Sequence, residues 1–66
     1  MKEMVVPSPR LAEFLRGYRA QYKADVSHEK RHIYWSPSHR VWIKARRSGG
    51  NIRLTFHKDC PCSDPD

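Results

Sequence analysis

Apolar residues along the first third of the chain fall at Leu11, Phe14, Leu15, Tyr18 and Tyr22, separated by three, one, three and four positions. That spacing lays them on one stripe of a 3.6-residue repeat. It predicts a helix over 9–24, with Ser8 as N-cap and Pro9 in the first helical position, where a missing backbone donor costs nothing. Gly17 interrupts the pattern at a cost of about 1 kcal/mol relative to alanine. Beyond residue 30 the period changes to two. In RVWIKAR, Val41, Ile43 and Ala45 alternate with Arg40, Trp42, Lys44 and Arg46; in NIRLTFH, Ile52, Leu54 and Phe56 alternate with polar neighbours. Such alternation predicts amphipathic strands near 40–46 and 51–57. Gly49 and Gly50 between them suit a tight hairpin turn. The resulting register sets Ala45 against Leu54 and Ile43 against Phe56 on one face, and Lys44 against Thr55 and Trp42 against His57 on the other.

A third strand, near 31–36, is indicated by the branched and aromatic content of RHIYWS, with SPSH as its turn. Its facing depends on loop length. Three loop residues place Ile33 and Trp35 on the core side and Tyr34 beside Trp42, whereas two exchange those roles, because a one-residue slip turns every side chain over. The demand for apolar area favours Ile33 opposite Ile43. The expected fold is α+β: one N-terminal amphipathic helix packed on a three-stranded antiparallel β-meander, in the order α-β-β-β. Residues 9–58 form the expected single domain. Residues 1–8 are an N-terminal arm in which Val5 and Val6 suit a short edge strand, and 59–66 read as an acidic, disordered tail.

Length and hydropathy narrow the class. A 66-residue chain buries only about 60% of the surface its unfolded form exposes, so its core is marginal. No apolar run approaches the roughly 20 residues that span a bilayer, and MKEMVVPSP lacks a signal-type apolar run, which points to the cytoplasm. Two cysteines separated by one proline make no spaced disulfide framework of the secreted kind.

Charge adds the strongest functional cue. The formal net charge is +6, and it is segregated. Residues 1–29 hold five cations and four carboxylates; residues 30–58 hold eight Lys and Arg side chains with no carboxylate; the tail carries Asp59, Asp64 and Asp66. A one-sided field of this kind attracts polyanions, of which nucleic acid, DNA or RNA, is the commonest inside cells. On the expected sheet, the face away from the helix presents Tyr34, Arg40, Trp42, Lys44, Arg46, Arg53, Thr55 and His57. Rings of this kind stack on bases while the cations pair with phosphates or guanine edges. The competing reading is an inhibitor or adaptor that docks the same residues on an acidic protein surface of a larger nucleic-acid-processing complex. A second copy of the chain is a further partner for such a face.

The stretch YWSPSHRVWIKARRSGGNIRL resembles the three-stranded sheet of the plant-type AP2 DNA-binding domain and of related integrase arm-binding domains. The likeness rests on two tryptophans seven residues apart, a basic second strand and a glycine turn. It implies a sheet whose tryptophan and arginine side chains enter the major groove. In that family the helix follows the sheet; here the expected helix precedes it.

Two other clusters carry chemistry. FHKDCPCSD offers His57, Cys60 and Cys62 as soft or borderline metal ligands, with His28, His32 or His39 as a fourth. The set lacks a second spaced pair, so neither a metal nor any other cofactor is expected. SHEKRH places His28, Glu29 and His32 together, the acid-base groups a small ribonuclease would use. Without a nucleophile elbow, phosphate loop or acidic metal pair, the sequence reads as a binding protein rather than an enzyme.

Overall fold

A computed structural model describes residues 3–61. Five antiparallel strands form one sheet: β1 (Glu3–Pro7), β2 (Gln21–Tyr22), β3 (His32–Ser36), β4 (Val41–Ser48) and β5 (Asn51–His57). Their spatial order is β1-β5-β4-β3-β2. One α-helix, α1 (Leu11–Gly17), follows a 3-10 turn at Ser8–Arg10, and a second 3-10 turn spans Ala24–Val26. The expected helix on a three-stranded meander is therefore corrected to a mostly β fold, in which β1 and β2 flank the three strands legible in the sequence.

The helix stops early because the chain turns left-handed at Arg19, where φ is 54°. Its amide donates back to the Arg16 carbonyl (3.0 Å), and the Ala20 amide donates to the Leu15 carbonyl (2.9 Å). Together these bonds form a Schellman C-cap that satisfies the last helical carbonyls. Glycine is the usual residue at that position, and here an arginine fills it. Gly17 lies two residues earlier, inside the last turn. Tyr22 consequently leaves the helical stripe and enters β2, where it pairs with Tyr34. At the other end, neither the 3-10 turn nor α1 has a side-chain cap, so the Ser8 N-cap does not form. Ser8 instead lies within the 3-10 turn, and its amide donates to the Gly50 carbonyl.

The core lies between α1 and one face of the sheet. Val6, Ile43, Ala45, Ile52 and Leu54 are buried there, with Leu11, Phe14, Leu15 and Tyr18 packed against them. Phe14 stacks on Tyr18 with centroids 4.7 Å apart, and both rings meet Phe56. The β4–β5 register matches the alternation: Ala45 opposes Leu54, Ile43 opposes Phe56 and Trp42 opposes His57, across a two-residue turn at Gly49 and Gly50. Gly49 has φ 64°, the left-handed conformation that a hairpin turn of this length requires.

The β3–β4 connection has four residues, Pro37–Arg40, since Ser36 opposes Val41. Arg40 closes it in the left-handed region with φ 51°. An even loop length reverses the expected facing of β3: Tyr34, not Ile33, opposes Ile43, and Trp35 opposes Trp42. Ser36 helps to hold this register. It is fully buried, and its hydroxyl donates to the Tyr18 carbonyl at 2.6 Å, tying β3 to the end of α1. Ser38 donates to the same carbonyl at 2.9 Å from an exposed position. Ser36→Ala should therefore cost about 1 kcal/mol, the net worth of one hydrogen bond, and Ser38→Ala less. Urea midpoints would read the difference; an unchanged midpoint in Ser36→Ala would mean that the tie contributes nothing.

Ile33 is fully buried although it faces away from the core cluster. The Ala24–Val26 turn lies against β3, and it is held by Ser27. The Ser27 hydroxyl accepts from the Ile33 amide at 2.9 Å and donates to the Lys23 carbonyl at 2.6 Å. No helix among the described residues is long and apolar enough to cross a membrane. Of the expected acidic, disordered tail, Pro61 is fully buried, while Cys62 and 63–66 lie outside the described residues.

Candidate binding face

In antiparallel strands, residues directly opposite share a face. The register therefore gathers Trp42, Lys44 and Arg46 of β4 with His57, Thr55 and Arg53 of β5 on the side of the sheet away from α1. Six of the eight residues expected at the site are thus brought together. Arg40 sits in the loop preceding β4, exposed. Tyr34 is placed elsewhere: it lies on the helix side of the sheet, half-buried, and packs against Tyr22 with centroids 5.5 Å apart. Burial and, secondarily, the neighbouring Tyr22 phenol raise the Tyr34 pKa above its usual value. It belongs to the packing, not to the proposed face.

Trp35 takes the place that Tyr34 was expected to hold. Its ring lies 5.0 Å from that of Trp42, at 46° between planes. Both indoles are half-buried and partly accessible. The signal for Trp35 was present in the sequence, since Trp35 and Trp42 flank a loop of even length, but the loop had to be counted as four.

Next to the indoles the face becomes cationic. Lys44 opposes Thr55, and Arg46 directly opposes Arg53. Two like charges facing each other across strands are destabilising unless something anionic lies between or beside them. Glu3 of β1 partly serves this purpose, with its carboxylate 3.4 Å from Arg53 Nε, though both side chains are about half exposed. An exposed pair of this kind is worth well under about 1 kcal/mol, so it competes weakly with a multivalent anion. Thr55 Oγ1 and His57 Nε2 lie 2.9 Å apart, which orients the imidazole along the face.

The other chemical clusters are differently disposed. No group of three or more His, Cys, Asp or Glu side chains is arranged to hold a metal among the described residues. His57 belongs to the sheet face, and Cys60 is half-buried beyond the end of β5. Of the acid-base cluster, His28 Nδ1 accepts from the Lys30 amide at 3.2 Å within a tight turn closed by mutual His28–Arg31 backbone bonds. His32 packs edge-on to Tyr22, and Glu29 is exposed. His28 thus supports a turn and His32 makes an aromatic contact, with both side chains exposed.

Comparison with protein-family models, curated proteins and solved structures finds no match, and the likeness to AP2 domains is one of local pattern on a different, five-stranded architecture.

Proposed function

We propose that the protein binds nucleic acid through the sheet face opposite α1, with Trp35 and Trp42 as a stacking platform and Lys44, Arg46 and Arg53 as phosphate contacts. The observation that carries this reading is the continuity of the face. A paired indole surface passes directly into three cations, two of which oppose each other across β4 and β5. Indoles stack on the π-face of any base, and cations one strand spacing apart follow a phosphate backbone, a combination typical of single-strand binding surfaces. On this reading the protein is a binder rather than an enzyme, and the cytoplasm is the compartment proposed for it. An acidic protein surface that imitates a phosphate backbone is the competing partner, and a ribonuclease role for the exposed His28, Glu29 and His32 is the remote one.

Fluorescence anisotropy with labelled single-stranded and duplex oligonucleotides across a salt series tests the reading. If about three to five phosphates are neutralised, log affinity falls against log salt with a slope of about −3 to −5 on duplex, and somewhat less steeply on single strands. Arg46→Ala or Arg53→Ala should weaken binding and flatten that slope by about one unit. Arg16→Ala, on α1, should leave it unchanged. Failure of every oligonucleotide to bind at low salt would pass the face to the acidic-protein reading, and equal losses in the sheet and helix variants would mean that binding is not located on the sheet.

A further inference from the structure

With only seven residues, α1 cannot roof the whole sheet face on which it packs. Phe14 and Tyr18 cover Phe56. The rest of that face remains as an open groove of about 910 Å³. Tyr34, Ala45 and Ile52 contribute to its lining from the sheet, and Leu11, Ala12 and Leu15 from the helix. Lys30 and Arg31 enter the lining just before β3, and Arg46 and Arg47 at the far end of β4. Glu29 is the one carboxylate among the lining residues.

We propose that this groove docks a short acidic, amphipathic segment of a partner protein, with apolar side chains on the half-buried Leu11, Leu15 and Tyr34 and carboxylates on Lys30 and Arg47. Charge complementarity selects the occupant: the exposed Lys30 and Arg47 stand at the rim of an aliphatic lining, with the buried Arg31 behind them and Glu29 as the one acid, so carboxylates are favoured there. The form of the site selects a peptide over a small molecule. Small ligands are bound where 70–90% or more of their surface is enclosed, roughly speaking, and an open trough encloses far less. Apolar anchors laid in a groove beside charged partners are instead the usual mode of helix-in-groove recognition. Apart from Arg46, which borders both, the site is separate from the proposed nucleic-acid face. Arg47 opposes Ile52 on the helix side of the sheet, whereas Trp42 and Lys44 face away from it.

The test is selection of random phage-displayed peptides on the immobilised full chain, followed by anisotropy with the selected peptides made synthetically. The expected sequences place Asp or Glu beside Leu, Ile or Phe. Ala12→Glu puts a repelling charge on an exposed helical position in the groove wall, and Arg47→Glu reverses a rim cation; each should weaken peptide binding by about tenfold or more. Trp42→Ala should leave peptide affinity within about twofold, since rim-distant, uncoupled sites act independently. Ala12→Glu should also leave oligonucleotide binding intact, so the groove and the sheet face fail separately. Selection of no peptide, selection of peptides without acids, binding that survives both groove substitutions, or displacement of the peptide by an oligonucleotide would each overturn the proposal.

Discussion

Leu54→Ala should destabilise the protein by about 2–5 kcal/mol, the range for emptying a fully buried aliphatic position. Leu54 is completely buried in the centre of the sheet, with Met4 of β1 on one side and Ala45 of β4 on the other. The neighbours have little freedom to collapse into the space. Ala45 is already small, and Val6, Ile43 and Ile52 are β-branched residues held in the sheet, with few alternative rotamers. A chain of this size is stabilised by only about 3–10 kcal/mol in total, so one deletion removes a large share of it. Thermal unfolding followed by circular dichroism should show the midpoint falling by roughly 10 °C or more, taking about 4–8 °C per kcal/mol for a small domain. Met4→Ala, at an exposed edge position opposite Leu54, should lower it much less. Equal shifts in the two variants would contradict the placement of Leu54 at the centre of the core and of Met4 at the edge of the same face.

Removing both indoles should have the largest effect on binding. Each base–aromatic stack is worth about 1–3 kcal/mol, so the Trp35→Ala, Trp42→Ala double variant should bind single-stranded oligonucleotide at least about 30-fold more weakly at fixed salt, at 1.4 kcal/mol per tenfold. The salt slope should hardly change, because no phosphate contact is lost. The substitutions also remove a ring–ring contact worth about 0.5–1.5 kcal/mol to the fold, which makes a conservative variant necessary. Trp42→Tyr keeps a stacking ring and should retain most of the affinity. If Trp42→Tyr is as defective as Trp42→Ala, the ring is not stacking on a base; if the double variant binds normally, the indole pair has no part in recognition. Because Trp35 was expected in the core and lies instead beside Trp42, Trp35→Ala alone distinguishes the two placements. A core tryptophan would cost about 3–5 kcal/mol of stability, whereas a half-buried face tryptophan should cost less stability and more affinity.

Local chemistry made several parts of this protein legible. The alternation in 41–47 and 51–57, with glycines at the turn, was enough to specify the β4–β5 register, because a two-residue hairpin couples turn and facing with no third element involved. That register alone assembles Trp42, Lys44, Arg46, Arg53, Thr55 and His57, so most of the candidate face follows from sequence. The segregation of charge into 30–58 is likewise a property of the chain itself.

Tertiary structure decided the remainder. The stripe from Leu11 to Tyr22 has helical period throughout, yet the helix ends at Gly17 because the Tyr18 carbonyl is taken by Ser36 and Ser38, eighteen and twenty residues away, while Arg19 accepts the left-handed position that glycine usually occupies. Period cannot report a contact of that range. The facing of β3 was decided in the same place: Ser36 must point toward Tyr18, which turns Tyr34 inward and Trp35 outward, while the Ser27-anchored turn is brought against β3, where Ile33 is buried. Val5 and Val6 already suited the edge strand β1, but where the two flanking strands pair is a tertiary outcome. β1 pairs with β5 across more than forty intervening residues, and β2, at two residues, is too short to carry a periodic signal. Sequence thus determined the hairpin and its charge, and long-range backbone bonding determined where the helix stops and which tryptophan faces out.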